Sequence, residues 1–178
     1  MNYKPLYIFV EGDDDERFFD TVIVQKLQER FFPILFIQYA HNRAKIDGYI
    51  RSFATPSLRA DYICVCDLNH CASIEEKIAA FEKEFDKINR DDVVVVIKEI
   101  ESWYLAGLNA TDSKRFFTKN FGRTDHVYKE KFNASSRWNK GEPRRSFMRE
   151  ILKHFDMQTA KLKNRSFRLF VEKYSCDK

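Results

Sequence analysis

The chain has 178 residues, of which 44% are hydrophobic, so it is long and apolar enough to bury a core and is not intrinsically disordered. Its formal net charge is only +4, but residues 1–101 carry 13 Lys and Arg against 19 Asp and Glu, whereas residues 102–178 carry 18 against 8. This asymmetry favours an acidic part that can hold metal ions and a basic part that can hold a polyanion, although two solvated faces of opposite charge would give the same composition.

Residues 1–108 are predicted to alternate between strands and helices. Continuous apolar runs predict four buried strands, at residues 6–10, 34–39, 62–66 and 93–97. Helical spacing of apolar residues follows the strands, with capping signals at Asp13 with Glu16 and at Ser73 with Glu76. Strands that alternate with helices indicate crossover connections and a parallel sheet. We therefore expect an α/β core at residues 1–108 whose sheet is covered on both faces.

Residues 109–178 have a different character. Helical patterns cover residues 113–120, 143–156 and 165–174, and polar, basic stretches separate them. We expect residues 109–178 to form a basic helical extension packed on the α/β core, within one domain overall.

Acidic residues follow three of the four predicted strands. Glu11 follows the first strand, Asp67 the third, with Asn69 two residues later, and Glu99 and Glu101 follow the fourth. The carboxyl ends of parallel strands share one edge of the sheet, where ligands bind. Polar residues also gather at strand ends because strand ends meet water. The presence of an acidic residue after three of the four strands nevertheless favours a site for Mg²⁺ or Mn²⁺. Mg²⁺ binds through few carboxylates, together with water and phosphate.

Several segments resemble a known superfamily. FVEGDDDERFF resembles the first motif of the TOPRIM superfamily, and Asp67-Leu68-Asn69 resembles its Asp-x-Asp motif with Asn in the second place. KEIESWYLAGL and NRSFRLFVEKY are similar to segments of small standalone TOPRIM-like proteins of unknown function, which are related to the nuclease domain of the overcoming-lysogenization-defect (OLD) proteins. The resemblance covers most of the chain in order. It implies a Rossmann-like TOPRIM fold, with a mainly parallel four-stranded central sheet flanked by helices and a helical C-terminal extension.

The resemblance also implies an Mg²⁺-dependent site for phosphodiester chemistry. Glu11 matches the motif-one glutamate, a metal ligand or general base, and Asp67 matches the first metal-binding aspartate. Asn69 stands where a second aspartate is expected, so it offers a carbonyl oxygen without a charge. Glu99 and Glu101 match the acidic positions after the fourth strand and can make up that deficit.

The basic part interleaves cations with aromatic residues. Phosphates attract Lys and Arg, and unpaired bases stack on aromatic rings, so this mixture is typical of nucleic-acid binding. Phe at helical spacing is, however, usually core, and the intervening cations then simply face water. The best candidates for contacts with nucleic acid are Arg137, Lys140, Arg144 and Arg145, because they lie in a stretch with little apolar periodicity.

These features predict an Mg²⁺- or Mn²⁺-dependent nuclease or nucleic-acid-processing phosphodiesterase that acts on DNA or RNA. Lys98, adjacent to the acidic residues, is the candidate for stabilising charge that develops on the phosphate. The resemblance alone implies a role in defence against mobile DNA. Two alternatives stay open: a non-catalytic TOPRIM-like module that binds nucleic acid or a partner protein, and an enzyme acting on a small phosphorylated molecule. A homodimer is compatible with each.

Neither a membrane span nor secretion is expected. No apolar run approaches the roughly 20 residues that cross a bilayer, and the first residues lack the small-residue cleavage site of a signal peptide. The four cysteines are too few and too clustered for a disulfide framework. We therefore expect a cytoplasmic protein with reduced thiols.

Overall fold

The computed structural model describes residues 4–40 and 43–176. It shows an α/β protein with a four-stranded, all-parallel central sheet flanked by helices, which confirms the predicted fold class and is consistent with a Rossmann-like fold. The chain divides into two compact units, Met1–Val95 and Val96–Lys178, and each is described by itself. Within the described residues, no helix is both long enough and apolar enough to cross a membrane.

The first unit contains the sheet, whose strand order is β2-β1-β3-β4. Its elements are β1 Lys4–Val10, α1 Asp13–Phe18, α2 Val24–Leu27, β2 Phe31–Gln38, α3 Ile46–Phe53, β3 Asp61–Asp67, α4 Ile74–Glu84 and β4 Val93–Val96, of which the last residue falls in the second unit. A π-helical turn, Phe19–Ile23, joins α1 to α2, and 3-10 turns occupy Arg43–Lys45 and Arg90–Asp92. All four predicted strands are confirmed.

Strand β2 begins earlier than predicted and contains Pro33. Proline lacks an amide N–H, so strands tolerate it mainly at the edge of a sheet, where one side needs no partner. β2 is such an edge strand, and it pairs only with β1 among the described strands. Pro33 is therefore compatible with this strand, although in the sequence it indicated that the strand begins only at residue 34.

The central strands are buried on both faces. Consecutive residues Ile8, Phe9 and Val10 of β1 are completely buried, as are their neighbours Cys64 and Val65 of β3. Because successive side chains of a strand point to opposite faces, such a run requires cover on both sides of the sheet. The continuous apolar runs in the sequence therefore predicted this arrangement correctly.

Helix α4 starts as predicted but ends at Glu84 rather than near residue 89. Ser73 caps its start, since the Ser73 hydroxyl accepts a hydrogen bond of 3.1 Å from the Glu76 N–H. Beyond the helix, the backbone N–H of Lys87 donates to the Asp47 carboxylate at 3.0 Å. The Asp47 carboxylate therefore takes the place of the backbone carbonyl oxygen to which the Lys87 N–H would donate in a longer helix.

The second unit contains six helices among its described residues. They are α5 Glu101–Ala106, α6 Ala110–Phe116, α7 Lys129–Ser135, α8 Arg144–Leu152, α9 Met157–Lys163 and α10 Arg165–Tyr174. The three predicted helical patterns correspond to α6, α8 and α10. Helices α7 and α9 were not predicted, because each has too few buried apolar positions to show a period. The unit begins within β4, whereas the sequence predicted a boundary at residue 108.

Asn164 is the centre of a buried hydrogen-bond network in the second unit, where only 1% of its surface is exposed. Its Oδ1 accepts from the N–H of Phe167 and from the hydroxyl of Ser166, both at 2.9 Å, which caps helix α10. Its Nδ2 donates to the hydroxyl oxygens of Thr124 at 3.0 Å and Ser102 at 3.3 Å. One amide side chain therefore connects α5, α10 and the loop that precedes α7.

Ser166 extends this network to the end of β4. Its hydroxyl oxygen accepts from the indole N–H of Trp103 at 2.9 Å and from the backbone N–H of Ile97 at 3.1 Å. The Trp103 ring is fully buried and packs edge-on against Phe167, with 5.2 Å between ring centroids. The polar groups in this interior are thus hydrogen-bonded, as buried polar groups must be if they are not to cost stability.

We predict that Asn164→Ala lowers the free energy of unfolding by about 2–4 kcal/mol. The change removes a helix cap, which contributes about 1 kcal/mol, and leaves buried hydroxyl groups without a partner, which costs about 1–3 kcal/mol. Urea denaturation followed by circular dichroism would measure it. Asn109→Ala is the matched control, because exposed Asn109 caps α6 through the N–H groups of Thr111 and Asp112 and its loss should cost only about 1 kcal/mol. Equal losses in the two variants would contradict the prediction.

Candidate functional site

Two of the predicted ligands lie on neighbouring strands of the first unit. Strands β1 and β3 are parallel and pair directly, with Phe9 opposite Cys64. Glu11 follows β1 immediately and Asp67 is the last residue of β3, so both lie at the carboxyl edge of the sheet, where strands are about 4.8 Å apart. Both side chains are half-buried.

Both carboxylates affect the pKa of the Cys66 thiol. Burial raises the pKa of Cys66 to about 12, and the negative charges of Asp67 and Glu11 add to the rise, whereas Lys77 opposes it. Because both carboxylates act on the same thiol, they share one neighbourhood. A thiol with so high a pKa stays protonated near neutral pH in the absence of a metal ion.

Helix α1 begins beside this edge, but its cap differs from the predicted pair of Asp13 and Glu16. The N–H of Gly12 donates to the Oδ2 of Asp15 at 3.2 Å, and Asp15 is 6% exposed. Asp13 and Glu16 instead accept hydrogen bonds of 2.8 Å from the side-chain amide of Gln38, the last residue of β2. Asp15 therefore has a local partner at the helix start, whereas Asp13 and Glu16 connect α1 to the end of β2.

Tyr39 is a further residue of this edge that sequence reasoning missed. It follows β2 directly, and its backbone N–H donates to the carbonyl of Val10 at 2.9 Å. Burial raises the pKa of the Tyr39 hydroxyl well above its usual value, and the nearby carboxylates of Glu11 and Asp15 add to the rise. Tyr39 had no signal in the sequence, because the second strand was predicted to include it, whereas the structure ends β2 at Gln38.

Asn69, which replaces the expected second aspartate, adopts a left-handed backbone conformation with φ of 50° and is exposed. Asparagine enters this conformation more readily than most residues because its short polar side chain bonds locally. The tight turn after β3 therefore gives one reason for asparagine at this position that is independent of metal binding.

The predicted ligands Glu11, Asp67 and Asn69 supply two carboxylates and one amide at or after the ends of β1 and β3. Among residues 4–40 and 43–176, no group of three or more His, Cys, Asp or Glu side chains is arranged to hold a metal ion. Mg²⁺ usually keeps several waters and binds through one or two carboxylates plus substrate phosphate. Glu11 and Asp67 therefore fit an Mg²⁺ ion whose coordination is completed by water and phosphate, and they do not fit a preformed cage.

The other acidic candidates lie in the second unit, where each contacts the start of a helix. Glu99 accepts a hydrogen bond from the backbone N–H of Lys129, the first residue of α7. Glu101 is 3% exposed and accepts from the guanidinium of Arg144, the first residue of α8, at 2.9 Å. Carboxylates are favoured at helix N-termini by the helix dipole. Both residues therefore have partners within the second unit, whatever further role they have.

The ion pair between Glu101 and Arg144 joins residues for which the sequence predicted different roles. Glu101 was predicted as a metal ligand and Arg144 as a nucleic-acid contact, yet the two side chains contact each other in the structure. Arg144 also donates to the side chain of Asn133, and its guanidinium lies 5.5 Å from the ring centroid of Phe132. These contacts give Arg144 a structural role in the second unit, so its presence does not require a role in nucleic-acid binding.

The remaining basic candidates fall into two groups. Arg137 is exposed, but its Nε donates to the carbonyl oxygens of Lys114 at 3.1 Å and Phe117 at 3.0 Å at the end of α6. Lys140 and Arg145 are exposed and make no hydrogen bond or ion pair within the part of the chain that the structure describes. Lys140 and Arg145 are therefore the candidates with charge most available to a phosphate.

Lys98 follows β4 in a left-handed backbone conformation, with φ of 67°, and its side chain is exposed. A residue with a Cβ pays of order 1–2 kcal/mol for this conformation, which glycine adopts freely. Strain of this kind is often retained where a side chain is needed.

No protein-family model, curated protein or solved structure matches the chain. Support for a function therefore comes from the residues themselves and from the resemblance described above.

We predict that Lys98→Gly raises the free energy of unfolding relative to Lys98→Ala by about 1 kcal/mol, because glycine relieves the left-handed strain. Both variants lose the same charged side chain, so they should lose the same fraction of any phosphodiesterase activity. Urea denaturation of the two variants and of the natural protein would measure the difference. Equal stability of the two variants would show that the backbone at residue 98 is not strained.

A second prediction concerns pH. Burial raises the pKa of Glu101, although its own backbone N–H, Lys129 and Arg144 oppose the rise. The folded state therefore binds this proton more tightly than the unfolded state, so the contribution of Glu101 to stability is largest below its unfolded pKa and decreases as the pH rises through its folded pKa. Glu101→Gln cannot ionise, and its unfolding free energy should improve relative to the natural protein as the pH rises above 4.5, the usual pKa of a glutamate.

Urea denaturation of both proteins at a series of pH values from 4.5 upwards would give the difference in their unfolding free energies as a function of pH. Glu130→Gln, which neutralises an exposed carboxylate in α7, controls for the general effect of losing one negative charge. A stability difference that moved in the opposite direction would show that attraction to Arg144 outweighs the burial of Glu101.

Proposed function

We propose that this chain is an Mg²⁺- or Mn²⁺-dependent phosphodiesterase of TOPRIM type that cleaves or processes nucleic acid. The observation that carries the proposal is the position of Glu11 and Asp67 at the carboxyl ends of neighbouring parallel strands, where both charges act on Cys66. The resemblance of the segments around these residues to TOPRIM motifs supports the same reaction class. The free thiols agree with a cytoplasmic location, which is part of this proposal.

In this proposal, Glu11 and Asp67 hold the metal ion through carboxylate oxygens, and Asn69 offers an amide oxygen. The bound ion would supply the positive charge that activates water and stabilises the phosphate in the transition state. Glu11 is also placed to accept a proton from water, as carboxylates do in general base catalysis. Lys98, Glu99 and Glu101 belong to the second unit, and their proposed parts in the reaction rest on the resemblance and on sequence adjacency.

Nucleic-acid binding is assigned in this proposal to the exposed basic residues of the second unit. Lys140 and Arg145 have no partner within the described residues, so their charges are available to phosphates of DNA or RNA. Arg137 keeps its terminal guanidinium nitrogens exposed while its Nε caps α6. Arg144 is the weakest of the four candidates, because its pair with Glu101 already uses its charge.

A second candidate function is a non-catalytic module that binds nucleic acid or a partner protein. Two observations favour it: the predicted ligands at or after the ends of β1 and β3 include two carboxylates, with exposed Asn69 where a third was expected, and Glu101 is paired with Arg144. An enzyme that acts on a small phosphorylated molecule at the acidic edge stays a further prediction from the sequence.

Calorimetric titration of Mg²⁺ and Mn²⁺ in the presence of a short single-stranded DNA would test the metal site. We expect saturable binding by the natural protein and loss of that binding in Glu11→Ala/Asp67→Ala, because no carboxylate then remains at the ends of β1 and β3. Asp20→Ala/Glu29→Ala is the matched control, since it removes two exposed carboxylates from the first unit and should leave metal binding unchanged.

The same variants distinguish the two candidate functions in a cleavage assay on DNA and RNA. Metal-dependent cleavage that Asp67→Ala abolishes, without loss of the fold, would support the enzyme. Nucleic-acid binding that needs no metal and survives Glu11→Ala/Asp67→Ala would support the non-catalytic module instead.

Arg145→Ala tests the nucleic-acid contact, and it is preferable to Arg144→Ala because the latter leaves Glu101 buried without its cation. Metal-dependent activity of Asp67→Ala would contradict the assigned site.

A further inference from the structure

A cavity of about 360 Å³ lies in the first unit, at the amino ends of β1 and β3. This end of the strands is opposite to the edge that carries Glu11 and Asp67. The cavity is open to solvent, and its lining residues are Ile50, Phe53 and Ala60, which are buried, Tyr62, which is half-buried, and Lys4, Ala54 and Arg59, which are exposed. Binding sites for small molecules have this composition, with a mainly apolar surface and a few polar groups that fix the orientation of the ligand.

Arg59 is the most informative residue of the cavity. It is exposed, and its guanidinium makes no hydrogen bond or ion pair with any residue that the structure describes. Its backbone is left-handed, with φ of 40°, and its N–H donates to the carbonyl of Thr55 at 3.0 Å. Glycine or asparagine would meet this backbone requirement with less strain, so an arginine here indicates a use for its side chain.

Among the described residues, the charges that line the cavity leave one cation uncompensated. Lys4 forms an ion pair with Asp61, and both side chains are about half exposed. Arg59 has no such partner within residues 4–40 and 43–176, so the described lining carries one excess positive charge beside apolar side chains. This balance favours a ligand that carries a single anionic group.

The aromatic surface of the cavity is fixed in place before any ligand binds. The Phe53 ring stacks on Tyr7, with 4.4 Å between centroids and 21° between planes, and lies 6.2 Å from Tyr62. The Tyr62 hydroxyl accepts a hydrogen bond of 2.8 Å from the backbone N–H of Asn89. Rings held in this way lose little conformational entropy when a flat ligand packs against them.

We propose that this cavity binds a small organic anion with a flat apolar body, an aryl carboxylate or an aryl phosphate monoester. The anionic group pairs with Arg59, and the ring packs against Phe53 and Tyr62. The volume accommodates a ligand of one or two rings, since known ligand pockets begin at about 300 Å³. The site is separate from the proposed phosphodiesterase edge and does not depend on that function.

Nuclear magnetic resonance titration of the full chain, labelled with ¹⁵N, would test the proposal. The probes are benzoate and phenyl phosphate, compared with benzyl alcohol, which lacks the charge, and with acetate and inorganic phosphate, which lack the ring. We expect saturable shifts of the backbone amides of Ala54, Arg59 and Ala60 with at least one of the ring-bearing anions. Benzyl alcohol, acetate and inorganic phosphate should bind at least about tenfold more weakly, because each lacks one of the two contacts.

Two variants decide the role of Arg59. Arg59→Gly relieves the left-handed backbone and should therefore keep the protein folded, while it weakens binding of the anion about tenfold or more. Arg51→Ala is the matched control, because Arg51 is an exposed cation of helix α3 that does not line the cavity, and it should leave the affinity unchanged. Ala60→Leu places additional methyl groups in the cavity and should also weaken binding, although it retains both cations.

Comparison of benzoate with phenyl phosphate shows which of the two anionic groups the site prefers. The proposal is overturned if neither ring-bearing anion gives saturable shifts at these amides. It is also overturned if Arg59→Gly and Arg51→Ala have equal affinity, or if benzyl alcohol binds as tightly as benzoate. Loss of metal binding at Glu11 and Asp67 has no bearing on these outcomes, so the two proposals fail separately.

Discussion

The parallel direction of all four strands is the constraint on which the first unit depends. Parallel neighbours need crossover connections, and helices in those connections cover both faces of the sheet. The strands must then be apolar throughout, so polar and charged residues are confined to the two ends of the sheet. Glu11 and Asp67 lie at the carboxyl ends, whereas Lys4 and Arg59 lie at or near the amino ends. One topological rule therefore separates an acidic edge from a cationic cavity within a single small unit.

The second unit depends instead on a hydrogen-bonded polar interior. Asn164 and Ser166 connect the end of β4 to helices α5 and α10, and the Glu101–Arg144 pair connects α5 to α8. Removing one member of such a set leaves its partners buried and unsatisfied, which costs more than the bond itself contributed. Loss of activity after substitution of Glu101 or Arg144 would therefore be ambiguous, because the local fold and any functional role would fail together.

The sheet was predictable from the sequence because its strands are short, continuous apolar runs that alternate with helical patterns. The short helices α7 and α9 were not predictable, since each has too few buried apolar positions to show a period. The Glu101–Arg144 pair was also beyond sequence reasoning, because its members are far apart in the chain and each resembled a functional residue. At the acidic edge, the strand-end rule selected Glu11 and Asp67, but it passed over Tyr39, because the second strand was predicted to end at Tyr39 and the structure ends it one residue earlier. The cavity at Arg59 had no comparable signal, since a left-handed arginine is visible only in the backbone.

The small number of carboxylates at the acidic edge has a consequence for the proposed function. Two carboxylates leave most of the coordination of an Mg²⁺ ion to water and phosphate, so the ion should bind more tightly when a phosphodiester is present. Thermodynamic linkage makes this effect reciprocal, so the metal must then strengthen nucleic-acid binding by the same factor. A non-catalytic module that holds nucleic acid only through Lys140, Arg145 and their neighbours would show the opposite effect, because Mg²⁺ competes with these cations for the phosphates and weakens binding. The coupling between metal and nucleic acid thus separates the two functions even before any cleavage is measured.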